Sequence, residues 1–287
     1  MSYDSFKSSD GVPLCYRQQG NGPLIVGLHG FPDTYQTWDD LGAGLAHQGY
    51  SFIGLAMRGY APSGIPENGN YAIHRLARDV VELLDHIGCQ SAIVVGHDWG
   101  ASAAYALAAR YPDRVTAIVA FAIAPPAVAP GGFGELRARP HNLYLSLGAL
   151  SNWWFRRRNF REIERLYRLW SPSWQVPRSH LDRVRDALKA KERSRAAIDY
   201  YRLGRAAQSS DALMVKLSTR CLVLYGEDEP DVRKSAFRKA LSVLGGESKI
   251  VEIAGVGHWP HLEAPDLCLS KAKEFLMTTS GAAQRQS

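Results

Sequence analysis

A chain of 287 residues is about twice the length of a common single domain, which calls for one large α/β domain or a core with an inserted module. With 46% hydrophobic and 22% charged residues, 26 Gly and 15 Pro, the composition excludes collagen-like, coiled-coil and wholly disordered chains. The formal charge of +6 is uneven, because Pro125 to Ser210 holds 15 Arg and 2 Lys against 7 acids and the remainder is net acidic. The start, MSYDSFKSSDGVPL, has no basic stretch leading into an apolar run, and no run of ~18 apolar residues occurs, so a soluble, cytoplasmic protein is expected. Cys15, Cys89, Cys221 and Cys268 are far apart without a CxxC pair, fitting neither a disulfide framework nor a thiolate metal site.

In chain order, residues 13 to 20 and GNGP predict strand and turn, and Leu24 to Leu28 is a buried strand entering the tight loop His29-Gly30-Phe31-Pro32. A helix from about Asp39 to Gln48 precedes the apolar run Ser51 to Leu55, and a helix from about Ile73 to Ile87 precedes the run Ala92 to Val95. An Ala-rich helix at 100 to 110, a strand Val115 to Phe121, and strands at 221 to 225 and 250 to 253 separated by a helix complete the alternation. This order predicts a parallel sheet covered on both faces, with ligands at the carboxyl ends of its strands. The stretch 125 to 210 interrupts it. Phe160, Ile163, Leu166, Tyr167 and Trp170 fall at helical spacing, as do Leu181, Val184 and Leu188 after a possible Ser179-x-x-Asp182 cap, and four of the seven Trp lie there. The expected division is a first core part at 1–124, a helical lid at 125–212, a second core part at 213–278 and a disordered tail at 279–287.

The strongest chemical signal is Gly96-His97-Asp98-Trp99-Gly100, between a strand and a helix rich in small residues. Small residues at both ends permit the sharp turn that lifts a central nucleophile out of a sheet, as in G-x-S-x-G. Asp in place of Ser selects the chemistry, since a carboxylate ionised at neutral pH needs no base to attack an sp³ carbon bearing a leaving group. The alkyl ester so formed must be hydrolysed, which requires a base for water and donors for the oxyanion. His258, in Gly257-His258-Trp259 after the last strand, is the better placed base; His261 and His97 compete, and His97 should face away from its neighbour Asp98. Glu227, Asp228, Glu229 and Asp231 compete for the orienting acid, while the strand ending at Phe121 runs into Ala122 to Pro126 without a carboxylate. The backbone N–H groups of Phe31 and Trp99 are the expected donor pair.

With these residues in place the chain resembles the α/β-hydrolase superfamily over nearly its whole length, and within it the epoxide hydrolases and haloalkane dehalogenases, which share the Asp elbow and a helical cap. The resemblance implies an α/β fold with a mostly parallel eight-stranded sheet in the order 1-2-4-3-5-6-7-8, helices on both faces and an inserted helical cap. It also implies Glu229, followed by Pro230, as the triad acid, with Asp228 as its competitor; Glu here departs from the commoner pattern. Epoxide hydrolases look similar at HGFP, where haloalkane dehalogenases usually carry Asn in the place of Phe31. Fluoroacetate dehalogenases usually follow the nucleophile with Arg, where this chain has Trp99. Epoxide hydrolases further use two cap tyrosines to hold the epoxide oxygen. Asp199-Tyr200-Tyr201-Arg202 is similar to one such motif and names Tyr201; Tyr144, in His141-Asn142-Leu143-Tyr144, is the looser second match, with a core aromatic role as its alternative.

The leading expectation is therefore a hydrolase that opens an epoxide to a diol through an ester on Asp98, acting on a small-molecule epoxide and water and needing neither metal nor cofactor. A dehalogenase drawing on Trp99 and the cap tryptophans Trp153, Trp154, Trp170 and Trp174, and a ligand-binding relative without turnover, are the alternatives. The cap arginines are expected to be solvated or paired rather than to bind nucleic acid or membrane, though one or two of them would suit anionic substrates such as epoxy acids. A monomer or homodimer is expected.

Overall fold

The computed structural model describes residues 3–129, 137–204 and 214–283. Its sheet has eight strands: β1 (Asp4–Lys7), β2 (Pro13–Gln19), β3 (Leu24–Leu28), β4 (Ser51–Ala56), β5 (Ala92–His97), β6 (Val115–Phe121), β7 (Leu217–Gly226) and β8 (Leu244–Ile253). The order across the sheet is β1-β2-β4-β3-β5-β6-β7-β8, as the resemblance implied. β1–β2 and β2–β4 pair antiparallel, and the other described pairs are parallel.

Parallel strands with helices on both sides bury both faces, and the apolar runs divide accordingly. Val26, Val94 and Ile118 face α2 (Ile73–His86) and α3 (Trp99–Arg110), whereas Ile25, Val95 and Val119 face α1 (Asp39–Ala46) and the final helix α8 (Pro265–Ala283). Register determines what meets at the carboxyl ends. Leu28 pairs with Gly96, His97 with Phe121, and Gly226 with Ile253, so the loops leaving β3, β5, β7 and β8 emerge side by side.

Between β6 and β7 lie a single helical turn (His141–Tyr144), α4 (Ala149–Trp170), α5 (Arg178–Leu188) and α6 (Lys191–Asp199), followed by a wide π-turn at Tyr200–Gly204; α7 (Asp231–Lys239) follows β7. The apolar positions read as helix faces are buried here: Ile163, Leu166 and Tyr167 on α4, and Val184 and Leu188 on α5. α4 breaks at Arg157 to Phe160, where Arg158, Asn159 and Phe160 have positive φ. The insertion is pinned to the core by hydroxyls. Tyr200 donates to the Arg58 carbonyl at 2.8 Å and Tyr167 to the Pro32 carbonyl at 2.8 Å.

Arg58 is itself buried, donating to Asp79 at 2.6 and 2.7 Å, to Asp10 at 2.8 and 3.1 Å and to the Asn70 carbonyl at 3.1 Å. A guanidinium so enclosed is stable only while its acids remain, because losing one partner strands a buried charge.

Some local expectations differ from the structure. β1 gives no signal in the sequence, because DSFK is a short, mostly exposed edge with no apolar run. Ser179 lies inside α5 rather than capping it; Pro177 precedes the helix and no side chain caps it. α8 extends through Ala283, into the expected 279–287 tail, since Cys268, Ala272, Phe275 and Leu276 give it a buried face and no Pro stops it; 284–287 and the lid boundary at 212 lie outside the described residues. Many arginines of the insertion pair with acids, Arg165 with Glu162, Arg168 with Glu164, Arg185 with Asp182 and Arg202 with Asp199, while Arg157 lies over the rings of Trp153 and Trp154. No helix among the described residues is long and apolar enough to cross a membrane.

Asp79→Ala should cost about 3 kcal/mol of stability by removing the most buried partner of Arg58. Urea unfolding of the two proteins measures this, and equal midpoints would contradict it.

Candidate active site

Asp98 sits at the end of β5 with φ 51° and ψ −115°, a backbone conformation that L-residues rarely adopt. The turn is possible because Gly30 and Gly100, packed beside it, have no side chains. A Cβ on Gly100 would lie 1.9 Å from the Leu28 carbonyl oxygen, and one on Gly30 only 2.4 Å from Cβ of Asp98 itself. β3 and β5 therefore touch at the elbow, and the Phe31 N–H donates to Asp98 Oδ1 at 3.1 Å. Trp99, whose N–H is the other expected donor, opens α3, where backbone N–H groups lack intrahelical partners.

The other carboxylate oxygen, Oδ2, is 3.5 Å from Nε2 of His258 and 3.8 Å from Nη1 of Arg139. Nδ1 of His258 donates to Glu229 Oε1 at 2.6 Å, and Arg233 donates to the other oxygen of Glu229 at 2.8 Å and to the Ala122 carbonyl at 2.7 Å. All of Asp98, His258 and Glu229 are nearly inaccessible to solvent. Asp228 turns away and accepts from Ser173 at 2.8 Å. Of the two competing acids, Glu229 is the one brought to the histidine.

The loop carrying His258 is braced from both sides. Its N–H donates to the Trp170 carbonyl at 3.0 Å and to Ser171 Oγ at 2.8 Å, while Glu263 accepts from the Gly257 and Trp259 N–H groups at 2.9 and 2.8 Å and from Ser171 Oγ at 2.6 Å. His97 does face away from Asp98, with Nε2 donating to the His258 carbonyl at 2.8 Å. Burial and the neighbouring His258 push His97 down to about 3, leaving it neutral. His261 pairs with Thr37 at 2.8 Å and packs on Trp38. His97, His261 and Asp33 bring ligand-type atoms within 4.8 Å of one another in the core behind the elbow, the described cluster able to hold a cation.

Tyr201 packs edge-on against Phe31 and Trp99, with ring centres at 5.1 and 5.5 Å. Burial, reinforced by the Asp98 charge, raises its hydroxyl well above the ordinary value, so it stays a donor. Tyr144 is placed differently from the sequence expectation, since its hydroxyl donates to Glu162 at 2.6 Å on α4. The side chain from that turn which meets Tyr201 is His141, 5.8 Å away by ring centres and 4.3 Å from Trp170. His141 is fully buried, and neither of its ring nitrogens has a hydrogen-bond partner. Burial and the nearby Arg139 push it down to about 2, which makes it a neutral imidazole with one N–H to give. Only its position three residues before Tyr144 hinted at it. Trp153 and Trp154 are exposed, Trp174 packs on Tyr167, and Trp170 lies 5.4 Å from His258 with its indole N–H buried and unpartnered.

The geometry can be compared with known proteins. The model of the α/β-hydrolase fold matches residues 23–265. The chain belongs to the α/β-hydrolase fold family. Among curated relatives it is 38% identical over 117 residues to an epoxide hydrolase of Caballeronia sordidicola, covering 40% of this chain and 36% of that one. It is 39% identical over 140 residues to epoxide hydrolase B of Mycobacterium tuberculosis, covering 47% and 39%. The chain thus spans under two-fifths of the length of these relatives. Among solved structures, an epoxide hydrolase from Vigna radiata superposes with TM-score 0.84 at 18% identity, covering 96% of this chain and 98% of that one. Epoxide hydrolase A from Mycobacterium thermoresistibile gives 0.80 at 24%, again covering 96% and 98%. At these identities the structural likeness concerns the fold alone.

Burial by itself raises the Asp98 and Glu229 carboxyls, but His258 and Arg139 beside Asp98, and Arg233 and His258 beside Glu229, outweigh it and hold both below the usual carboxylate range. Each therefore adds stability that is present above the unfolded-chain value of about 4 and lost as pH falls towards the lower folded value. Between about pH 4 and 2 the wild type should lose stability more steeply than Asp98→Asn. Urea midpoints across that range test the expectation, and parallel curves would refute it.

Proposed function

We propose that this hydrolase opens epoxides to vicinal diols through a covalent ester on Asp98. The observation that carries the reading is the buried line Asp98, His258, Glu229 set beside a cap tyrosine, Tyr201, that faces the nucleophile's loop and remains protonated. With Oδ1 held by the Phe31 N–H, Oδ2 is the oxygen free to attack an epoxide carbon. The C–O bond of the ring breaks, its electron pair passes to the epoxide oxygen, and the alkoxide takes a proton from Tyr201, with His141 as the second donor to that oxygen. Tyr144 is replaced by His141 in this account because its hydroxyl is committed to Glu162.

The ester is then cleaved by water at the Asp98 carbonyl carbon. His258 Nε2 takes the water proton, Glu229 steadies the imidazolium, and negative charge collects on Oδ1, where the Phe31 N–H already points and the Trp99 N–H is the second donor. Collapse breaks the bond to the substrate oxygen, which takes the proton from His258 to give the diol. The proton left on the renewed carboxyl returns through solvent to the tyrosinate. The similarity to epoxide hydrolases and the HGFP loop support this reading, and its chemistry uses no metal or cofactor. The partners are a small epoxide and water.

One observation favours a second reading. The unpartnered indole N–H of Trp170 beside His141 and His258 is a donor suited to a departing halide, as a dehalogenase needs.

His258→Gln should form the ester and stall. Mass spectrometry after incubation with epoxides and alkyl halides should show Asp98 carrying the whole epoxide mass; an adduct lacking halogen would establish dehalogenation instead. Tyr201→Phe and His141→Phe should each lower kcat/KM for epoxides by about 100-fold, and Tyr144→Phe by less than about 3-fold. The reverse ranking of His141 and Tyr144 would overturn the donor assignment.

A further inference from the structure

The two histidines that competed with His258 in the sequence come together with Asp33 behind the elbow. Ligand-type atoms of Asp33, His97 and His261 lie within 4.8 Å of one another, and all three side chains are buried. Each has one polar atom fixed by a neighbour. His97 Nε2 donates to the His258 carbonyl at 2.8 Å, His261 Nε2 meets Thr37 Oγ1 at 2.8 Å, and Asp33 Oδ1 accepts from the Thr34 N–H at 2.8 Å. Each also has one buried atom without a hydrogen-bond partner among the described residues: His97 Nδ1, His261 Nδ1 and Asp33 Oδ2.

The fixed bonds decide what the remaining atoms are. A carbonyl can only accept, so His97 carries a proton on Nε2 and, as a neutral imidazole, presents a lone pair at Nδ1. Asp33 Oδ2 is likewise an acceptor. With its Nε2–H given to the Thr37 hydroxyl, His261 offers a third lone pair at Nδ1. Two imidazoles and a carboxylate, each with its other polar atom held by a backbone group or a hydroxyl, form the pattern of metal ligands backed by their outer hydrogen-bond partners.

A water could bridge the same atoms, so charge and not spacing separates the two occupants. Asp33 is fully buried, and among the described residues no arginine or lysine pairs with it. His180, 3.9 Å from Oδ1, is not its counter-charge, because its Nδ1 accepts from Arg183 at 3.0 Å and an imidazole that accepts at one nitrogen is neutral. Buried charges are paired or coordinate metals. A water leaves the carboxylate charge uncompensated, and a divalent cation does not.

We propose that Asp33, His97 and His261 bind a divalent transition-metal ion of the zinc class, which ties the loops of the active site together from behind. Asp33 follows Phe31 in the loop after β3, His97 precedes Asp98 at the end of β5, and His261 follows His258 after β8. One ligand comes from each loop. The ion positions those loops and touches no reacting atom, so it serves whichever substrate Asp98 attacks.

Because the site is buried, the test loads it during folding. The full chain is unfolded in urea, refolded with zinc chloride or with EDTA, and passed through gel filtration. The zinc-refolded wild type should retain about one zinc per chain and unfold at a higher urea midpoint than the EDTA-refolded protein. Asp33→Asn and His261→Gln should each weaken zinc binding by at least about 100-fold in competition with a chelator and lose the midpoint shift. His47→Gln, at the exposed end of α1, should keep both. Anomalous scattering at the zinc edge from wild-type crystals should place the ion among the three side chains, a readout that needs no variant to fold. Refolded wild type without zinc, zinc retained equally by Asp33→Asn and His261→Gln, or an anomalous peak elsewhere would each overturn the site.

Discussion

The site depends on a carboxylate held where a backbone of ordinary conformation would not put it. Asp98 occupies positive φ because β5 must end and α3 begin within one residue, and this is tolerated only because Gly30 and Gly100 leave room for the crossing chains. The gain is positional. The strained residue projects from the carboxyl edge of the sheet, its Oδ1 meets a backbone donor of the β3 loop, and its Oδ2 is left towards the histidine. The energy of that strain is supplied by the sheet, whose central strands are buried on both faces and cannot move apart to relax it.

The inserted helices are part of the same construction and not a loose cover. Adjacent residues Tyr200 and Tyr201 point in different directions from the π-turn. Tyr200 is anchored through its hydroxyl to Arg58, whose guanidinium is bound by Asp79 and Asp10, so the placement of Tyr201 descends from an ionic cluster away from the elbow. On the other side Ser171 and Trp170, at the end of α4, accept from the His258 N–H, so His258 is oriented by the insertion as well as by Glu229. Burial of every one of these groups makes each hydrogen bond matter, since an unmet polar atom there has no water to turn to.

What was legible in the sequence was whatever a short stretch of chain decides alone. The elbow at Asp98, the HGFP loop and the glycine-flanked His258 are turns built by neighbouring small residues, so spacing sufficed to find them. Glu229 over Asp228 needed the resemblance, because both follow Gly226 within three residues and only the turn, with Glu229 N–H bonded to the Gly226 carbonyl, decides which side chain faces inward. The strand order also came from resemblance, as apolar runs fix existence and not adjacency. His141 over Tyr144 was illegible. One helical turn carries both, and which of them enters the site is settled by packing against Trp170 and by Glu162 capturing the phenol from eighteen residues away. Arg139 was hidden among 15 arginines of one segment for the same reason, since charge counts do not say which side chain points inward.

The division of labour that results is electrostatic. The core contributes groups whose charge is settled by fixed neighbours: Glu229 by Arg233, His97 by burial, and Asp98 Oδ1 by a backbone N–H that never titrates. The insertion contributes groups whose partners the proposed reaction would supply. In the mechanism proposed above, Tyr201 and the unpartnered His141 have protons to give to an oxygen that becomes negative only during ring opening. Preorganised donors of this kind act on charge as it develops and not on the resting substrate, which is the condition for accelerating a reaction and not merely binding its reactant. On the proposed mechanism the core would form the ester and the insertion would donate to the displaced charge, and both depend on the contacts that hold α4 and the π-turn against the core.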